Sequence, residues 1–215
     1  MSGVTGPNIV TDNLILYVDA GNVQSYPGSG STWYDLSGNN YHMVNGNTMP
    51  TYSSADGGKF TFNGSTQWVY ATIPSLSINP FTYCVWVRSD LTNTAWASII
   101  DQDNDDFLFA TNNNILYLYD PTYSSGYTLT SNTAWHHFAI SYISGSTSYF
   151  YVNGSSVSSF AVTLTHTSTH ISIGAGYPNS ELWDGDISMF QWYDTNLTAA
   201  EVLQNYNAHK SRYGL

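Results

Sequence analysis

Tyr149-Phe150-Tyr151-Val152-Asn153-Gly154-Ser155-Ser156-Val157-Ser158-Ser159-Phe160 reads as two strands joined by a two-residue turn. Asn and Gly tolerate positive φ, and a type I′ turn needs it at both central positions. The stretch 81–88 alternates in the same way. Phe81, Tyr83, Val85 and Val87 fall on one face, with Thr82, Cys84, Trp86 and Arg88 on the other. Period two in both places predicts strands.

Outward from these, short apolar runs recur at 59–62, 68–71, 99–101, 107–110, 115–119, 135–142, 171–173 and 187–193. Leu14-Ile15-Leu16-Tyr17-Val18 is nearly continuous, as expected of a strand covered on both faces. Asn45-Gly46, Asp56-Gly57, Asn63-Gly64 and Asp184-Gly185 punctuate the runs as turns. Many short strands with such punctuation predict an all-β sandwich or barrel. One helix stands apart. Thr198-Ala199-Ala200-Glu201 is a capping box, Leu197 and Val202 are placed as a hydrophobic staple, and the stripe Val202, Leu203, Tyr206 runs to about His209. Lys210 and Arg212 then fall where cations complement the helix dipole.

Composition narrows the function. The 215 residues carry 4 Lys+Arg against 15 Asp+Glu, a net charge of −11, with 18 Tyr and 7 Trp. Lys59, Arg88, Lys210 and Arg212 form no basic stripe, which argues against nucleic-acid binding. No apolar run is long enough to insert in a membrane. The single Cys84 excludes an internal disulfide and reads as a small core side chain. Residues 1–12 read as a flexible or anchoring arm and 13–215 as one domain. The start has neither the cationic nor the apolar region of a secretory signal. A surface kept soluble by Ser, Thr, Asn and Tyr nevertheless looks extracellular. Synthesis in a host cytoplasm followed by release on lysis reconciles the two.

Several segments together resemble a known family. They are Trp135-His136-His137-Phe138-Ala139 with the 149–154 hairpin, Tyr17-Val18-Asp19-Ala20-Gly21-Asn22, Trp33-Tyr34-Asp35-Leu36-Ser37-Gly38, and Gly185-Asp186-Ile187 through Trp192-Tyr193. They are similar to laminin-G-like domains of the concanavalin A-like lectin/glucanase superfamily. The ending 197–206 is similar to a branch found in structural proteins of tailed bacteriophages. The resemblance implies a two-sheet antiparallel jelly-roll sandwich with one short C-terminal helix. It implies a non-enzymatic virion protein on the capsid or tail, contacting other virion proteins and a host glycan, with homo-oligomers and a rim calcium ion among the family's options. A free calcium-assisted lectin and a glycoside hydrolase are the alternatives.

Candidate residues follow. The solvated tyrosines of 117–127, expected to form a loop, and aromatics in other loops give a ligand-binding set of Trp96, Tyr119, Tyr123, Tyr127, Tyr177 and Trp183. Sugar stacking and protein docking are both open for that surface. Asp101, Asp103 and Asp105, alternating in an acidic stretch expected to be a loop, are the candidate calcium ligands. The competing reading is a solvated acidic loop. Retaining hydrolysis would need two carboxyls about 5–5.5 Å apart. The chain has only two glutamates, and Glu201 is explained as a cap. Glu181, Asp184 and Asp186 span a turn and read as rim residues, so no catalytic residue is assigned. Asp19 and Asp35 are expected to brace turns, and His137 to be a hydrogen-bonded structural residue.

Overall fold

The computed structural model describes residues 8–77, 79–102, 107–119, 122–164 and 167–215. In chain order the strands are β1 (Leu14–Asp19), β2 (Thr32–Trp33), β3 (Met43–Asn45), β4 (Thr51–Ser53), β5 (Lys59–Asn63) and β6 (Val69–Ser77). Then come β7 (Phe81–Ser89), β8 (Ala97–Gln102), β9 (Phe107–Asn112), β10 (Ile115–Tyr119) and β11 (Tyr123–Thr128). The last are β12 (His136–Tyr142), β13 (Thr147–Val152), β14 (Ser155–Ala161), β15 (Thr167–Ile173) and β16 (Asp184–Tyr193), followed by helix α1 (Ala199–His209).

They form two antiparallel sheets. One runs β14-β13-β12-β7-β16-β5-β4, with β1 sharing the far side of β16 beyond β5. The other runs β11-β10-β9-β8-β15-β6-β3-β2. The alternation read in 81–88 is realised: Phe81, Tyr83, Val85 and Val87 face the second sheet and join a continuous core with Phe138, Ile140, Phe150, Ile171 and Ile173. The turn at Asn153-Gly154 has φ of 51° and 77°, as its sequence requires.

The opposite face of β7 is buried as well. Cys84 packs with Ala139, Tyr151, Tyr193, Leu197 and Val202 beneath α1. Trp86 packs with Trp135, Met189, Tyr17, Tyr206 and Tyr213, its ring 4.1 Å from that of Tyr213. A third layer, the C-terminal helix, therefore covers the outer side of the first sheet. The helix begins where its sequence says. Thr198 accepts from the Glu201 N–H, and the Glu201 carboxylate takes the Thr198 N–H at 2.7 Å. Residues 8–12 lie against it: the Val10 N–H donates to Asn205 Oδ1 (2.9 Å) and Gln204 Nε2 to the Asn8 carbonyl (2.8 Å).

Four expectations change. Residues 117–119 and 123–127 are not loop but parts of the paired strands β10 and β11. Strands β2, β3 and β4, of two or three residues, are too short to display a period and were not expected. Arg212 does not serve the helix dipole but forks onto Asp19, Nη1–Oδ1 2.6 Å and Nη2–Oδ2 2.9 Å. His137 is bonded through its backbone, whose N–H donates to Asn153 Oδ1, while neither ring nitrogen has a partner. Complete burial, with His209 nearby, pushes that imidazole down to about 3. Asp35 does brace its turn, taking the N–H groups of Tyr17, Ser37 and Tyr41.

Candidate rim site between the two sheets

Three connections cross between the sheets at one end of the sandwich: 64–68 after β5, 90–96 after β7, and 174–183 before β16. Between them lies a cleft of about 200 Å³ lined by Gly64, Thr92, Asn93, Thr94, Trp96 and Asp184. Its walls are fixed by hydrogen bonds. Asn93 Nδ2 donates to the Asp184 carbonyl (3.0 Å), and the Asp184 N–H donates to Asn93 Oδ1 (3.2 Å). Thr92 Oγ1 donates to Asp184 Oδ2 at 2.9 Å. Leu91 and Glu181 are held at φ of 62° and 46°, in the left-handed region that such side chains rarely adopt. Gly64, at φ 62°, lets its turn approach Asp184: an added Cβ would lie 3.0 Å from Asp184 Cβ. The rim is thus shaped before any ligand arrives.

The cleft lining includes both a carboxylate, Asp184, and an indole, Trp96. Partial burial, then the Asp184 and Asp186 carboxylates, push the Asp90 carboxyl above its ordinary range. Asp186 itself is neutralised by Lys59 Nζ at 3.0 Å and Arg88 Nη2 at 2.5 Å, with Thr61 Oγ1 on its other oxygen. Trp96 also lines the cleft, its ring 5.1 Å from Tyr117 and 5.0 Å from Tyr119, both at 65°. A carboxylate and a half-buried indole lining one cleft suit a ligand with hydroxyls on its edge and C–H bonds on its face.

The expected ligand set is divided by the structure. Trp96 and Tyr119 come together. Tyr177 belongs to a second aromatic group, stacked on His170 at 4.5 Å and 5.8 Å from Tyr70. Tyr123 stacks on Phe160, and Tyr127 packs edge-on against Phe138, so both rings lie against the core. Trp183 is wholly buried in the core, which removes it from any surface; a loop position before a strand gave no hint of this. Asn93, Thr92 and Gly64 were not singled out. Their only sequence signal is that Asn63-Gly64 and Asp184-Gly185 are turns, and nothing local ties those turns to residue 93.

The acidic stretch also reads differently. Asp101 lies in β8, not a loop, and is buried, with its Oδ2 accepting the Tyr177 N–H at 2.8 Å. Asp103 and Asp105 lie outside the described residues. Among the described residues, no group of three His, Cys, Asp or Glu is arranged to hold a metal.

Comparisons with known proteins agree with this architecture. A family model, Laminin_G_3 of the concanavalin A-like lectin/glucanases superfamily, matches residues 63–203. No curated protein matches the chain by sequence. Among solved structures, the binding domain of Paraclostridial Mosquitocidal Protein 1 superposes with a TM-score of 0.71 at 16% identity, covering 93% of this chain and 53% of that one. Botulinum neurotoxin type C, in a structure concerned with its interaction with two ganglioside molecules, gives 0.69 at 16%, covering 93% and 52%. The receptor binding domain of botulinum neurotoxin type G gives 0.67 at 17%, covering 91% and 51%. The chain spans about half the length of these structures, and at such identities the likeness is one of fold.

Proposed function

The chain belongs to the concanavalin A-like lectin/glucanase superfamily, and from that premise we propose that it is a non-catalytic glycan-recognition domain carried on the virion of a tailed phage. The observation that carries the glycan reading is the rim cleft, which Trp96, Asp184 and Asn93 line together. A pyranose offers an apolar face for the indole and equatorial hydroxyls for the carboxylate and amide. Such contacts need no rearrangement of a rim already fixed by its own hydrogen bonds. The acidic wall disfavours anionic sugars and favours neutral ones. The ganglioside interaction of the type C neurotoxin lends support by analogy of fold alone.

Hydrolysis is the weaker reading. Asp186 is engaged by Lys59, Arg88 and Thr61 and serves to hold the rim together. Glu201 is the helix cap. Asp184 already receives the Thr92 hydroxyl. The virion assignment rests on the hydroxyl-rich, Lys-poor composition and on the resemblance of the 197–206 ending to phage proteins.

The test is a panel of neutral and acidic polysaccharides. Binding to a neutral member is expected, with affinity falling about tenfold or more for Trp96→Ala and for Asp184→Asn. Chelator should leave it unchanged. Retention of binding by both variants would overturn the cleft as the site. Particle fractionation tests the rest: the protein should copurify with heads or tails, and its absence from purified particles would remove the virion role.

A further inference from the structure

Residues 121–180 contain no Asp, Glu, Lys or Arg, although the whole chain carries −11. The fold places the part of this segment that forms β11 to β14 at one side of the sandwich, while β15 lies inside the second sheet between β8 and β6. β14 is the outermost strand of the first sheet and β11 of the second. The two edges meet where Tyr123 stacks on Phe160 at 5.0 Å and its hydroxyl reaches the Ala161 carbonyl at 3.4 Å. Upstream of that contact, Ser155, Ser156, Val157 and Ser159 of β14 are exposed. This edge carries no lysine, proline or charge, three of the devices by which edge strands are kept from pairing. A bulge leaves Val157 outside the pairing with β13, and it is 40% exposed.

Apolar surface is concentrated at the same place. Seven large apolar side chains are exposed among the described residues, and three of them are here. Tyr149 (39%) and Val157 (40%) are on the β13–β14 hairpin. Leu203 (43%) lies against its turn, 2.9 Å from where a Cβ on Gly154 would be. Beside them a groove of about 370 Å³, lined by Tyr149, Tyr151, Ser156 and Asn196, runs between the hairpin and the start of α1. No charged side chain lines it.

We propose that this side is a docking surface for a second copy of the chain, with β14 pairing antiparallel to its counterpart about a two-fold axis. Two copies of net charge −11 repel wherever carboxylates face each other, and the β14 edge itself carries none. An antiparallel edge is self-complementary under a two-fold, so unpaired N–H and C=O groups of one copy meet those of the other. Val157 and the Tyr149 groove then close against their symmetry mates. The proposal is independent of the rim cleft, and pairing would present two such clefts on one particle.

Sedimentation of the full chain tests it. Twice the 23.7 kDa monomer mass is expected. Association should tighten as salt rises, because screening removes the residual repulsion without touching a neutral interface. Val157→Asp and, separately, Ser159→Asp should each weaken dimerisation about tenfold or more. Val23→Asp, at a 78% exposed position between β1 and β2, should leave it unchanged. Circular dichroism establishes that each variant is folded. A monomer at every salt concentration overturns the proposal. So does a dimer indifferent to both β14 variants, or a folded monomer whose groove binds a neutral saccharide.

Discussion

Removing the Arg212 guanidinium is expected to cost more than any surface substitution. Asp19 ends β1 with 2% exposure, and the guanidinium holds both its oxygens, at 2.6 and 2.9 Å. In Arg212→Ala the carboxylate keeps only the Gly21 N–H at 2.8 Å and the Tyr17 hydroxyl at 3.2 Å. Breaking a buried pair from one side costs about 3–5 kcal/mol, since a desolvated charge is left behind. The arginine side chain is 23% exposed and two donors remain, so the low end applies, about 3 kcal/mol. For a chain of this size that corresponds to a fall in Tm of about 6–12 °C. Urea denaturation at pH 7 measures it. The double variant Asp19→Asn/Arg212→Met removes both charges together and should lose about 1 kcal/mol or less, because no unpaired charge stays buried. A single-variant loss below about 1 kcal/mol, or a double variant worse than the single, would refute the reasoning.

Two further outcomes follow from buried groups. His137 is held down to about 3 by burial, and burial lowers His209 as well. The unfolded chain therefore binds protons near pH 6.5 that the folded chain refuses, so stability is full above pH 6.5 and falls as pH drops toward 3. Between pH 6.5 and 5 the loss should approach about 1.4 kcal/mol per pH unit for His137 alone, and His137→Gln should flatten it in urea titrations. An unchanged slope would dismiss the buried imidazole as its source. The Cys84 thiol is pushed up to about 12 by burial, so it should react with thiol reagents only at the rate of unfolding. Rapid labelling of the native protein would show that α1 lifts off the sheet.

Local chemistry determined much of this protein by itself. Alternation in 81–88 marked both faces of β7, Asn153-Gly154 set its hairpin, and Thr198 with Glu201 marked the start of α1, because each is decided within a few bonds. Asp35 was readable as a turn brace for the same reason. Trp96 and Tyr119 were legible as candidates because aromatics in excess of a core must go somewhere. The rest depends on distance in sequence. Asp184 meets Asn93 across 91 residues and Arg212 meets Asp19 across 193, and no periodicity encodes such encounters. Trp183 and Asp101 changed role because burial is set by what folds over a residue: the core takes the indole, and the backbone of Tyr177 caps the carboxylate. Sequence alone showed residues 121–180 to be uncharged. Only the tertiary structure, by bringing the edges β11 and β14 together, set part of that neutral run side by side at one flank of the sandwich and placed β15 inside the second sheet.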